Sequence, residues 1–190
     1  MAQANPGNMP ETKRTPAGRY RVTLAWVLLA VVIAFADQGT KFLFGALLTP
    51  GEVRPVTGFF NLVLVFNRGA AFSLLADAPG WQRELFAGIA LAASGLIIAL
   101  LLRNAGQRLF CAGLALILGG ALGNLWDRIA LGHVVDFLDF HALGYHWPAF
   151  NLADSAITVG AALLILDGFR TRKAPTHRGA VSDLPKPPLT

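Results

Sequence analysis

The amino-acid sequence predicts an all-α membrane protein with four transmembrane helices and a small extracytoplasmic β-rich cap. Of its 190 residues, 54% are hydrophobic and only 14% are charged, whereas an ordinary soluble domain carries about 25% charged residues. Residues 85–102 and 109–126 contain no charge, and each run has about the length that crosses the hydrocarbon of a bilayer. Because a chain in lipid must satisfy its backbone hydrogen bonds internally, both runs are predicted to be helices.

The first apolar run, residues 22–36, allows two interpretations. It follows a basic cluster and ends in Ala-Phe-Ala, which fits a cleavable secretory signal. Removal of that segment would leave three spans and place the first loop on the wrong side for its charge. A retained helix that begins near Arg21 and continues past Asp37 is therefore the preferred prediction.

The fourth apolar run is too short to span a membrane without including an acid. Residues 155–166 are uncharged, but they are too few to cross the hydrocarbon. A span of sufficient length starts near Trp147 and places Asp154 inside the membrane or at its outer edge. An ionisable group at that depth is expensive, which makes Asp154 a candidate functional residue.

Two stretches between the spans are rich in β-branched and aromatic residues, namely 56–66 and 133–140. They are predicted to be extended and to pair as a small sheet over the outer ends of the helices. These stretches fall within extracytoplasmic segments predicted at about 49–83 and 127–150.

The two ends of the chain are polar and rich in proline, so residues 1–18 and 171–190 are predicted to be disordered cytoplasmic tails. Residues 19–170 then form one membrane domain. Eleven of the sixteen Lys and Arg residues lie before the first span, between the second and third spans, or after the fourth. By the positive-inside rule both termini are cytoplasmic, and the net charge of +5 reflects membrane topology, not nucleic-acid binding.

Asp136 and Asp154 are the candidate reactive groups. One lies in a β-prone stretch and the other near the start of a helix, and the two side chains are expected to converge. Two nearby carboxylates in a low-dielectric setting share a proton. The ionised member can then activate water, and the protonated member can hydrogen-bond a peptide carbonyl oxygen. A proton-coupled transporter that uses the same acids and a non-enzymatic scaffold are the alternatives, although no convincing internal repeat supports transport.

Other catalytic chemistries find little support in the sequence. The serines lack a GxSxG context, and His133, His141 and His146 are not spaced as in HExxH. The single cysteine, Cys111, falls within an apolar run and is expected to be a buried structural residue. We therefore expect neither a metal nor a cofactor.

Five sequence blocks resemble those of lipoprotein signal peptidases and occur in the same order. They are DQGTK from Asp37, NRGAAF from Asn67, GNLWDR from Gly123, VVDF from Val134 and FNLADS from Phe150. The resemblance implies an intramembrane aspartic endopeptidase that removes the signal peptide from diacylglyceryl-modified prolipoproteins, cutting immediately before the lipidated cysteine. It implies Asp136 and Asp154 as the catalytic pair.

The same resemblance implies a multi-pass protein of the bacterial inner membrane, and the active site is expected near the outer leaflet. Its partners would be the prolipoprotein substrates and membrane lipid, without nucleic acid, and the chain would work as a monomer. Trp81, Trp126, Tyr145 and Trp147 fall near the predicted outer ends of spans, as amphipathic aromatic residues do at a membrane interface.

Six further polar residues are expected to support the site: Asn67, Asn124, Arg128, Asn151, Asp37 and Lys41. The asparagines and Arg128 are donors that can orient a substrate backbone or an aspartate of the pair. Asp37 and Lys41 are spaced i, i+4 and are expected to pair with each other.

Two other acids and a glycine pair are expected to be structural. Asp127 is predicted to take part in a surface ion pair beside Arg128, and Asp139 lies outside the VDF block. Gly119 and Gly123 form a GxxxG pair, which indicates close helix packing.

Overall fold

The computed structural model describes residues 16–69 and 79–172. Within these ranges the chain forms four helices and a four-stranded antiparallel sheet of order β1-β2-β3-β4. The elements are α1 (Pro16–Leu47), β1 (Val53–Thr57), β2 (Phe60–Asn67), α2 (Gln82–Asn104), α3 (Arg108–Ala130), β3 (Val134–Ala142), β4 (Tyr145–His146) and α4 (Leu152–Arg172). The predicted helical fold with a small sheet is confirmed.

Helix α3 is the centre of the bundle, and the other three helices surround it. Each of the four described helices is long and apolar enough to cross a membrane. The most apolar part of α3 is 56% buried, but that of α1, α2 or α4 is only 17% buried. Large apolar side chains on the outer helices, such as Phe35, Phe42 and Leu96, are therefore exposed, as expected for surfaces that face lipid.

The ends of the first and last helices determine where the acids lie. Helix α1 continues through Asp37 without interruption to Leu47, as predicted for a retained helix. Helix α4 begins only at Leu152, so residues 147–151 are not helical and Asp154 lies in its first turn. Apart from residues 16–18 and 171–172, which belong to helices, the predicted tails lie outside the described residues.

Glycines on α3 allow its neighbours to approach closely. A Cβ atom at Gly119 would lie 2.7 Å from the carbonyl oxygen of Ala30, and one at Gly123 would lie 2.5 Å from Oδ2 of Asp37. The predicted role of this pair in helix packing is confirmed. Gly123 also leaves the space that the carboxylate of Asp37 occupies.

The extended segment predicted at 56–66 is a hairpin, not one continuous strand. The chain turns at Gly58 and Phe59 between β1 and β2, where glycine favours a turn. As predicted, the segment pairs with the second β-prone stretch, since β2 lies beside β3 with Val65 opposite Asp136 and Asn67 opposite Val134. This register brings Asp136 to the end of the sheet nearest the helices.

A substitution at the contact between α3 and α4 tests this packing. A Cβ atom at Gly160 would lie 2.6 Å from the carbonyl oxygen of Gly113, but at Gly168 on the same helix it would meet nothing within 4 Å. We expect Gly160→Ala to reduce the free energy of unfolding by about 1–3 kcal/mol through overpacking. Gly168→Ala is the matched control and should be neutral or slightly stabilising. Equal thermal stability of the two variants in detergent would contradict the described helix contact.

Candidate active site

Asp154 is held by a reciprocal cap at the start of α4. The backbone N–H of Asp154 donates to Oδ1 of Asn151 at 3.0 Å, and the backbone N–H of Asn151 donates to Oδ2 of Asp154 at 3.3 Å. This is a capping box, in which the side chains at the N-cap and at the third helical position satisfy each other's backbone donors. The cap fixes the Asp154 carboxylate at the helix N-terminus, where the helix dipole favours negative charge.

Asp136 approaches the same place from strand β3. Its Oδ1 accepts from Nδ2 of Asn151 at 2.7 Å, and its Oδ2 accepts from Nδ2 of Asn67 at 3.2 Å. Burial, together with the nearby charge of Asp154, raises the pKa of Asp136 to about 7, although both asparagine donors oppose the shift. Asp136 is therefore protonated over much of the range below neutral pH.

Asn151 and Asn124 connect the two acids. Asn151 is fully buried and contacts Asp136 with its amide nitrogen and Asp154 with its amide oxygen. Asn124 donates from Nδ2 to Oδ1 of Asp154 at 2.8 Å. The structure brings all three predicted supporting asparagines, Asn67, Asn124 and Asn151, into contact with the predicted catalytic pair.

Behind Asn124 lies a buried cluster of charges. Nζ of Lys41 lies 2.7 Å from Oδ2 of Asp37, 2.8 Å from Oδ2 of Asp127 and 3.0 Å from Oδ1 of Asn124. The predicted pairing of Asp37 with Lys41 is confirmed. The prediction of a surface ion pair at Asp127 is wrong, because that residue is 1% exposed and its ionic partner is Lys41.

Gln38 and the backbone of Gly123 and Ala153 also belong to this cluster. Nε2 of Gln38 donates to Oδ1 of Asp127 at 2.8 Å and to the carbonyl oxygen of Gly123 at 3.1 Å. The backbone N–H of Ala153 donates to Oδ1 of Asp37 at 2.8 Å. Gln38 was not singled out from the sequence, although it lies between Asp37 and Lys41 in the DQGTK block.

Arg128 joins the outer end of α3 to the segment that follows β2. Its guanidinium donates to the carbonyl oxygens of Asn124 at 3.2 Å and Gly69 at 3.1 Å and lies over the ring of Phe86. Arg128 lies in the wall of the cavity described below, so the structure places it beside the acids as predicted. Both of these hydrogen bonds are to backbone carbonyl oxygens.

Both acids line one cavity of about 740 Å³. Its wall includes Val65 and Asn67 of the sheet, residues 147–150, and one side of α4 from Asp154 to Val159. The lining combines a few polar groups with a largely apolar wall, as is usual for a ligand site. The cavity lies between the sheet and the membrane helices.

Asp139 lies apart from the two acids and has its own polar partners. Oδ2 of Asp139 accepts from Nδ2 of Asn61 at 2.7 Å, and the carboxylate lies 2.9 Å from Nδ1 of His146. These partners hold the pKa of Asp139 below its usual value despite burial. The contacts agree with the structural role predicted for Asp139.

The fold is that of a bacterial membrane enzyme. The fold is similar to a solved bacterial membrane enzyme with a TM-score of 0.71 and 27% identity, covering 82% of this chain and 93% of the other. A second solved bacterial membrane enzyme gives a TM-score of 0.66 at 30% identity, covering 75% of this chain and 90% of the other.

Sequence comparison identifies the family. The family model described as signal peptidase (SPase) II matches residues 29–170. The lipoprotein signal peptidase of Cupriavidus necator is 52% identical over 170 residues, which are 90% of this chain and 97% of that protein. The lipoprotein signal peptidase of Ralstonia nicotianae is 55% identical over 170 residues, or 90% and 98%. The chain therefore belongs to the signal peptidase II family and is a peptidase.

The buried position of Asp127 gives a prediction about stability. Asp127→Ala takes the acceptor away from the buried ammonium group of Lys41 and from the backbone N–H of Val135, and we expect it to lower the free energy of unfolding by about 2–5 kcal/mol, because each unsatisfied buried donor costs about 1–3 kcal/mol. The matched control is Glu52→Gln, which removes a solvent-accessible ion pair with Arg54 and should cost much less, because surface ion pairs contribute little to stability. Thermal unfolding in detergent compares the two variants. Similar small losses would show that the Asp127 contact contributes as little as a surface pair.

Proposed function

We propose that the chain removes the signal peptide from diacylglyceryl-modified prolipoproteins and cuts immediately before the lipidated cysteine, with Asp136 and Asp154 as catalytic residues. The single observation that carries the aspartate mechanism is that both acids line one cavity and share the contacts of Asn151. The substrate class is supported by the relatives, which are lipoprotein signal peptidases at 52% and 55% identity over nine-tenths of this chain.

The surroundings of the two acids suggest different roles. Asp154 lies at a helix N-terminus and accepts from Asn124 and the backbone of Asn151, and these contacts stabilise its ionised form against the cost of burial. Asp136 is the protonated member below about pH 7 because its pKa is raised to about 7. In this proposal Asp154 is the general base and Asp136 is the acid.

Hydrolysis then proceeds without a covalent intermediate. Asp154 takes a proton from water as the water oxygen attacks the carbonyl carbon of the residue before the cysteine. Asp136 donates a hydrogen bond and then its proton to the carbonyl oxygen, which stabilises the tetrahedral intermediate. As that intermediate collapses, the proton held by Asp154 passes to the leaving amine and Asp136 regains its own.

The supporting residues keep this arrangement in place. Asn67 and Asn151 hold the two oxygens of Asp136, and Asn124 holds one oxygen of Asp154. Arg128 fixes the backbone at Gly69, which supports a role in shaping the cavity next to Asn67. Lys41 donates to Oδ1 of Asn124 and is paired with Asp37, so these two residues support the position of Asn124.

The proposed location is the bacterial inner membrane, with both termini in the cytoplasm and the active site near the outer leaflet. The basic residues outside the spans support this orientation. Trp81, Trp126, Tyr145 and Trp147 are 50%, 63%, 82% and 59% exposed, which suits aromatic residues at an interface. Ile157 and Val159 extend the cavity wall along the membrane helix α4. A lipid-anchored substrate would therefore enter the site from the bilayer, and we propose that the chain works as a monomer.

Substitution of either acid tests the catalytic pair. We expect Asp136→Asn and Asp154→Asn each to abolish cleavage of a diacylglyceryl-modified prolipoprotein by the purified protein, with a loss of at least about 1,000-fold, because neither amide can replace a general acid or base. The measurement is the change in substrate mobility on a gel. Asp139→Asn, on the same strand as Asp136, is the matched control and should keep most of the activity. Cleavage by either of the first two variants would remove that residue from the mechanism.

The pH dependence tests the assignment of roles. If Asp136 is the acid, kcat/KM should fall as pH rises through about 7, where Asp136 loses its proton. Asn67 donates to the Asp136 carboxylate and lowers its pKa, so Asn67→Ala should raise that pKa and move the alkaline limb to higher pH. A limb that stays in place or moves to lower pH in Asn67→Ala would contradict the assignment.

A further inference from the structure

The function of Asn124 depends on which way its amide points. Nδ2 of Asn124 donates to Oδ1 of Asp154 at 2.8 Å. The amide has a donor end and an acceptor end of nearly the same shape, so a half turn of the group would place its oxygen against the carboxylate. Two acceptors at that distance repel each other. Asn124 therefore supports an ionised Asp154 in one of its two orientations and opposes it in the other.

Asn151 is not sufficient to select the correct orientation. Among the described residues, Oδ1 of Asn124 has donors on Asn151 at 3.2 Å and on Lys41 at 3.0 Å. Nδ2 of Asn151 has two hydrogens but lies within 3.2 Å of acceptors on Asn124, Val135 and Asp136. The contact with Asp136, at 2.7 Å, is the shortest. Asn151 is thus already engaged by the other acid of the pair.

Lys41 has no such ambiguity. Its ammonium group has three hydrogens and no acceptor, so any polar atom that faces it must accept. Two hydrogens go to Asp37 and Asp127, and the third goes to Oδ1 of Asn124. The two carboxylates hold the ammonium group in a position that is only 4% exposed.

We infer that Lys41 is a positioning residue for peptide cleavage: it fixes the amide of Asn124 with the NH₂ group toward Asp154, and so keeps Asp154 as the proton acceptor. The inference rests on the proposed function, because it requires Asp154 to be the base. Lys41 is not among the described residues that line the cavity, and it acts through Asn124 without touching the substrate. Asp37 and Asp127 hold its ammonium group in place.

The first test separates turnover from substrate binding. In Lys41→Met the orientation of Asn124 is no longer fixed, and we expect kcat to fall by about 10- to 100-fold, the worth of a hydrogen bond to a charged group. KM should change by less than about threefold, because the residues that line the cavity are unchanged. A rise in KM with kcat retained would overturn the inference.

A double-mutant cycle tests whether Lys41 acts through Asn124. Asn124→Leu removes the amide, so adding Lys41→Met to it should cost less than about twofold further in kcat. If the two losses multiply, Lys41 does not act through Asn124 and the inference is wrong.

Folding needs its own control, because Lys41→Met leaves two buried carboxylates without a cation. The variant Lys41→Met/Asp37→Asn removes one positive and one negative charge together, and it should show the same loss of kcat. Gln38→Leu is the matched control, since Gln38 donates to Asp37, Asp127 and Gly123. It should lower the Tm while kcat stays within about threefold of the wild type. If kcat in Gln38→Leu falls as far as in the Lys41 variants at a similar Tm, Lys41 is structural only.

These experiments use the purified full chain with the lipidated substrate, together with Asp154→Asn. Cleavage by the wild type that Asp154→Asn abolishes, with kcat unchanged in the Lys41 variants, overturns this inference and leaves the proposed function standing. No cleavage by the wild type overturns both.

Discussion

The rest of the buried polar structure depends on the contacts that the ammonium group of Lys41 makes. It joins Asp37 of α1 to Asp127 and Asn124 of α3, and a buried charge of this kind is tolerated only when its partners are complete. Each partner then makes a further bond, since Asp37 accepts from Ala153 of α4 and Asp127 accepts from the backbone of Val135 in β3. One cation thereby fixes the positions of three helices and one strand.

This cluster places the catalytic residues that we propose without exposing itself to the cavity. Ala153 and Val135 directly precede Asp154 and Asp136 in the chain, so the backbone bonds that the two buried acids accept also locate the two proposed catalytic acids. Gly123 has to lack a side chain because the carboxylate of Asp37 occupies that space. The contacts between the helices therefore determine where the site lies. The proposed catalytic pair lies at the edge of a buried polar core.

The sequence was sufficient for the features that depend on local spacing. The uncharged runs predicted the spans, and the i, i+4 spacing predicted the pair of Asp37 with Lys41. It was misleading for Asp127, because adjacent residues on a helix point in different directions and Asp127 turns away from Arg128 toward α1. The contact between Lys41 and Asp127 joins positions far apart in the chain, so no local pattern reveals it. The capping box of Asn151 and Asp154 was readable as N-x-x-D, and Gly58 was a visible turn signal within the predicted extended segment.

The position of Asp154 follows from the cost of charge in a membrane. An ionised carboxylate in the middle of a span would need a partner for every oxygen in a medium without water. At the first turn of α4 the backbone amide of Asn151 and the helix dipole meet part of that need, and Asn124 meets more. Hydrolysis also consumes water, which is present at the end of a membrane-spanning helix and absent from the bilayer around its centre. If the substrate is held in the membrane by acyl chains, the proposed reaction requires lipid and water to meet, and the N-terminus of a late-starting α4 is where this fold allows it.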